Sequence, residues 1–305
     1  MNNDRFYSLN NYLKDKFGKK IYKVSLDGGF TCPNRDGSIS SQGCIFCSDV
    51  GSGEFAGSRR KNISDQIDEQ LEFIKSKNKD NKVIAYFQNF TNTYGDIEYL
   101  EKIYFQALAH EKVIGIAIAT RPDCIGEDVL QLLKKINEKY FLWVELGLQS
   151  ASDSIGEIIN RGYNTYTYIE TAKNLKKANI KFVTHMIVSL PNEKKEDLYN
   201  TIKLINSVDS WGIKIHMLYI LKNSKLETYY NKHPFKIYTE DEYVETVISL
   251  LERLNKNIVI HRLTGDPKKE DLLLPTWSLN KRKVLNSMHK NMKLENTFQG
   301  SKVEK

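Results

Sequence analysis

Cys32, Cys44 and Cys47 form a C-x11-C-x2-C array and are three of the chain's four cysteines, inside the stretch TCPNRDGSISSQGCIFCS that begins at Thr31. A structural zinc site takes four protein ligands, usually as two paired knuckles, and this array has one close pair, one distant partner and no nearby histidine. A [4Fe–4S] cube takes one thiolate per iron, so three leave one iron open. An open iron can chelate a small molecule directly. Cys124, the fourth cysteine, has three readings: it completes a zinc site in space, donates a hydrogen atom, or packs as an inert thiol.

Such a loop needs a frame, and the apolar periodicity supplies one. Strand-like runs occur at residues 23–26, 82–87, 113–120, 141–150, 180–190 and 212–221. Amphipathic helical runs separate them at 65–75, 97–108, 128–139, 166–178 and 197–208. Strict alternation predicts an α/β fold, a partial (β/α)6 TIM-like barrel with its active face at the strand C-termini. The cysteine loop follows the first strand, QNFTNTYG the second, TRPDC the third, LGLQS the fourth and SLPNE the fifth. Residues 1–225 are expected to form this core. Residues 226–305 are expected to form an extension on the same domain: a helix at 241–254, a short strand at 258–263, a basic helix, and a tail frayed from about Gln299.

In FLWVELGLQS a period of two puts Trp143, Glu145, Gly147 and Gln149 on the face opposite Leu142, Val144, Leu146 and Leu148. The leucine face should meet helices. Glu145 then points into the barrel, where it needs a ligand or an ion-pair partner such as Arg121 or Lys214. Lys214 and His216 share a face of the sixth strand and are candidate substrate contacts. His185 and His261 are lone strand histidines that fit a core role. Met186 either packs against an adenine or fills core.

The array, with aromatic Phe46 directly before its last cysteine, resembles the cluster loop of the radical SAM superfamily. TCPNRDG, TNTY, TRPDC, ELGLQS, GIKIH and HRLTGD together are similar to the YhcC/YtqA-like branch, related to the radical SAM domain of the elongator catalytic subunit. That resemblance implies a [4Fe–4S] cluster on Cys32, Cys44 and Cys47, with S-adenosylmethionine (SAM) on the open iron. It implies SAM-binding roles for Phe46, for Asn89, Thr91 and Asn92 toward the amino group, for Gln149 near the ribose, and for Arg161 at the carboxylate. The reaction it implies is reductive cleavage of SAM and hydrogen-atom abstraction, fed by flavodoxin or ferredoxin. Cys124, Lys214 and His216 are the catalytic candidates.

The chain has 305 residues, 40% hydrophobic and 27% charged, which is ordinary globular composition. Its apolar runs are far shorter than a bilayer span, so no membrane partner is expected, and the start lacks a signal-peptide core. A cytoplasmic location is expected. The formal charge is +7, part of it in NKRKVLNSMHKNMK from Asn280. Charge and the elongator relationship point to tRNA, at the C5 substituent of wobble uridine. The alternatives are a radical SAM enzyme of oxidative-decarboxylation type on a small molecule, and a zinc-bound RNA-binding adaptor.

Overall fold

The structure is a computed structural model that describes residues 4–48, 51, 56–76 and 82–303. Its elements run α1 (Leu9–Phe17), β1 (Tyr22–Leu26), α2 (Ile63–Ile74), β2 (Val83–Phe87), α3 (Ile97–Leu108), β3 (Val113–Thr120), α4 (Glu127–Asn137), β4 (Phe141–Gln149), α5 (Asp153–Ile158), α6 (Thr165–Lys177) and β5 (Lys181–Val188). Then come α7 (Lys195–Ser207), β6 (Gly212–Met217), β7 (Ile220–Leu221), α8 (Lys225–Lys232), α9 (Glu240–Arg253), β8 (Val259–Arg262), β9 (Leu272–Leu274) and α10 (Lys281–Leu294).

Parallel strands are buried on both faces, and the sequence supplies both faces by alternation. Leu142, Val144, Leu146 and Leu148 join Val83, Ala85, Phe87, Ile116 and Ile118 under the helices. Ile84, Tyr86, Ala117, Trp143 and Val183 line the inside. α4 closes its segment with the expected stripe of Val129, Leu132, Leu133 and Ile136, all buried.

Among the described residues the sheet has seven strands in the order β1-β2-β3-β4-β5-β6-β8, one more than the six-stranded barrel the periodicity predicts. The seventh comes from the 258–263 run, which pairs parallel with β6. Four-residue strands carry too little periodicity to reveal their neighbours. The sheet curls: Lys23 on β1 reaches Glu145 on β4, which also bonds His185 on β5. The free edge of β8 is covered by the segment before α1, where the Ile260 amide donates to the Tyr7 carbonyl at 2.8 Å.

The expected fraying at Gln299 is not what the structure holds. Gln299 is buried, its Nε2 donating to the carbonyls of Asn255 and Ile258, both at 2.8 Å, and its Oε1 accepting from the Tyr7 amide at 2.9 Å. One amide side chain satisfies backbone groups of the segment before α1 and of the α9–β8 connection, a role no local pattern discloses. The short pair β7–β9 and α8 carry a satellite apolar cluster of Ile155, Ile159, Ile187, Leu190, Leu218 and Ile220, against which Ile45 and Phe46 pack. Among the described residues no helix is long and apolar enough to cross a membrane.

Candidate active site

The loop after β1 carries the three thiols to the rim of one cavity. Cys32, Cys44 and Cys47 are half-buried and all line it. Cys47 and Cys44 are joined by a backbone turn, the Cys47 amide donating to the Cys44 carbonyl at 3.2 Å. Arg35 ties down the same turn, its Nη2 donating to the Cys47 carbonyl at 3.3 Å. Asn34, fully buried, donates from Nδ2 to the Cys44 sulfur at 3.5 Å and to the Asn160 carbonyl at 2.7 Å. Asn160 answers by donating to the Gly43 carbonyl at 2.7 Å. Gly162, at φ +79°, backs onto this clasp; a Cβ there would sit 3.0 Å from Asn34 Oδ1.

The next loops contribute unequally. Thr91 and Gln149 line the cavity. Gln149 sits at φ +59°, where β4 and β5 slip register, and this re-aims its side chain; Oε1 accepts from Tyr163 Oη at 3.1 Å. Asn89 and Asn92 do not line the cavity. Asn89 Nδ2 donates to the Asp27 carboxylate at 2.9 Å and Asn92 Nδ2 to the Ala119 carbonyl of β3 at 2.8 Å, so both amides are spent on protein.

Arg161, expected at an external carboxylate, is fully buried and spends all five N–H donors on protein: the carbonyls of Tyr163, Leu148 and Ser150, the Asp153 carboxylate and the Thr165 hydroxyl. It clamps the β4–α6 connection. Arg121 does reach the cavity, as Arg35 and Arg262 do; it is paired bidentately with Asp123 at 2.9 and 2.7 Å and not with Glu145.

Met186 is fully buried in the outer core and off the cavity, whereas Met217 lines it. Cys124 is also off the cavity; its thiol lies 3.8 Å from Asp123 Oδ1, and burial with that carboxylate pushes it up to about 12. A thiol held this firmly protonated is a poor nucleophile.

The floor is an ion-pair network. Glu145 Oε2 accepts from Tyr86 Oη at 2.7 Å, from His185 Nε2 at 2.9 Å and from Lys214, while Oε1 accepts from Trp143 Nε1 at 3.0 Å. Lys23 adds a second cation at 3.8 Å. Burial opposes the Glu145 charge, but Lys214 and Lys23 outweigh it and hold the carboxyl well below its usual range. Glu145 thus has no capacity left for a cofactor. Burial pushes His185 down to about 4 and holds His216 well below its ordinary value.

Tyr86, Lys23, Arg262 and Tyr163 belong to this site and were not singled out from sequence. The alternation in KVSL and KVIAYF already placed Lys23 and Tyr86 on inward faces; only the curl of the sheet shows what they meet.

The donors at the rim fit an iron–sulfur cluster. Three thiols share one rim, an amide donor addresses one sulfur, and no other cysteine lines the cavity. Among the described residues no group of three His, Cys, Asp or Glu side chains gathers tightly enough to clasp a single metal ion. A cube instead takes each thiolate on a different iron. Burial, with Cys47 adding to it, pushes the Cys44 thiol up to about 12, so loading must displace its proton.

Comparison with known proteins bears this out. Residues 35–205 match the Radical SAM superfamily and residues 210–294 the Radical_SAM C-terminal domain. The chain is 41% identical to YtqA of Bacillus subtilis over 97% of its own length and 92% of the relative's. It is 32% identical to YhcC of Escherichia coli K12, over 88% of this chain and 86% of the relative. In fold it is similar to the archaeal Elp3 of Methanocaldococcus infernus, with TM-score 0.70 at 18% identity, covering 92% of this chain and 64% of that one. Elongator complex protein 3 of Schizosaccharomyces pombe is 25% identical over 54% of this chain and 30% of its own. The chain belongs to the radical SAM superfamily, whose cofactors are a [4Fe–4S] cluster and SAM.

Proposed function

We propose that this radical SAM enzyme works on tRNA in the cytoplasm, reshaping the C5 substituent of a wobble uridine such as a carboxymethylaminomethyl group. The observation that carries the reading is the course of the cavity, about 320 Å³, which runs from three thiols at the rim to a polar floor inside the half-barrel. Cofactor and substrate can therefore meet out of water.

Cys32, Cys44 and Cys47 would hold the cluster, and Phe46, Thr91, Arg121 and Gln149 stand beside them to hold SAM. When bound, these cofactors supply a 5′-deoxyadenosyl radical that takes a hydrogen atom from an unactivated C–H bond. The chain's part is to orient and to shield. Ile187, Met217 and Leu218 give the cavity an apolar wall, and Tyr86, Glu145 and Lys214 form a rigid polar base. A flavodoxin or ferredoxin would deliver the electron.

Similarity to elongator protein 3 supports a tRNA substrate, as does the charge of +7. α10 buries Val284, Met288 and Met292 and leaves Arg282, Lys290 and Lys293 in water, a basic face suited to phosphates. A single-stranded anticodon base can be splayed into a cavity mouth without breaking a duplex. The test is mass spectrometry of tRNA nucleosides from a strain lacking the protein. One wobble-uridine form should vanish and its precursor accumulate; an unchanged profile overturns the tRNA assignment.

A further inference from the structure

Arg262 reaches the cavity through a slip in register. β6 and β8 pair Ile213 with Ile260 and then Lys214 with Arg262, so His261 is passed over and the alternation of β8 is reset. Lys214, His216 and Arg262 all line the cavity as a result, on its β6–β8 side.

On that side Lys214 and Arg262 face Glu145 and Asp266, and each carboxylate is shared with a further cation outside the cavity lining, Lys23 for Glu145 and Lys281 for Asp266. Asp266 is 3.2 Å from Arg262 and 2.8 Å from Lys281, so Arg262 holds only part of one carboxylate. Its remaining donors have no protein partner among the described residues. His216 likewise makes no hydrogen bond to protein, whereas His185 spends its Nε2 on Glu145. A guanidinium with donors to spare and an unpartnered imidazole in a half-buried cavity gain from a ligand that fills the site.

We propose that Arg262 and His216, backed by Lys214, form a carboxylate seat on the β6–β8 side of the cavity that selects substrates ending in a carboxylate. A planar guanidinium fork matches the two oxygens of a carboxylate. A backbone phosphate carries ester substituents on two sides and cannot be threaded to the floor of a half-barrel. A carboxylate that terminates a side chain can. The identity of the carboxylate-bearing molecule, a uridine with a carboxymethylaminomethyl group, rests on the function proposed above; the seat does not.

Two measurements test it. Phenylglyoxal modification of Arg262, followed by peptide mass spectrometry of the unmutated holoprotein, should slow at least several-fold with N-methylglycine and not with dimethylamine or inorganic phosphate. Anticodon stem-loops bearing 5-carboxymethylaminomethyluridine should bind about tenfold more tightly than those bearing 5-aminomethyluridine, a 1.4 kcal/mol preference. Arg262→Gln should abolish that preference and Arg262→Lys should weaken it. Equal protection by phosphate, or a preference that survives Arg262→Gln, overturns the seat. Protection by N-methylglycine with no carboxylate-dependent RNA binding upholds the seat and removes the tRNA substrate.

Discussion

Asn34 donates to the sulfur of Cys44 at 3.5 Å while the same amide nitrogen holds the Asn160 carbonyl at 2.7 Å, so one buried side chain both addresses a cluster ligand and fixes the loop that carries it. A hydrogen bond to a cluster sulfur favours the more negative, reduced state. Asn34→Leu should therefore lower the cluster's midpoint potential, read by an EPR-monitored redox titration. A potential at or above the native value would mean that Asn34 only shapes the loop.

Glu145 is buried among Tyr86, His185, Lys214 and Lys23. Removing one partner of such a pair leaves the other charge uncompensated, which costs about 3–5 kcal/mol. Lys214→Met and Glu145→Gln should each lower stability on this scale in urea unfolding of the apoprotein. The double variant should be less destabilised than the sum of the two.

Arg161 commits five donors to protein. A lysine has three donors and no planar fork, so Arg161→Lys should destabilise by about 3 kcal/mol, since hydrogen bonds to charged groups contribute roughly 1.5–3 kcal/mol each. Iron content after reconstitution should fall with stability. A selective rise in KM for SAM at native stability would instead place Arg161 at the cofactor.

Glu193 lies in the loop after β5, with Oε2 accepting from the amides of Ser189 at 2.8 Å and Leu190 at 3.2 Å and Oε1 unpartnered. Burial outweighs those two donors and pushes its carboxyl up to about 8. The unfolded chain ionises near the ordinary value of 4.5 and the native state does not, so the contribution of Glu193 to stability is full below pH 4.5 and declines as pH rises toward 8. Glu193→Gln should raise Tm at pH 8 and leave it unchanged at pH 4, measured by calorimetry.

The alternation of apolar segments disclosed the barrel and the cysteine array disclosed the rim, because both are local patterns of one or two turns or strands. What stayed hidden depends on curvature. Arg161 and Arg121 lie 40 residues apart, and nothing local shows that the first is saturated by carbonyls while the second faces the cavity. Asn89, Asn92 and Met186 sit in the right segments but point into the walls. Arg262 was legible as part of HRLTGD, yet its inward aim follows from a register slip that sequence does not reveal.

The central claim is that three cysteines hold a cluster with a corner open to SAM. The direct measurement is the yield of 5′-deoxyadenosine when oxygen-free protein, reconstituted with iron and sulfide, is mixed with SAM and dithionite. The native protein should yield 5′-deoxyadenosine and Cys44→Ala none. Protein that carries iron and sulfide but leaves SAM intact, or colourless protein with stoichiometric zinc, would contradict it.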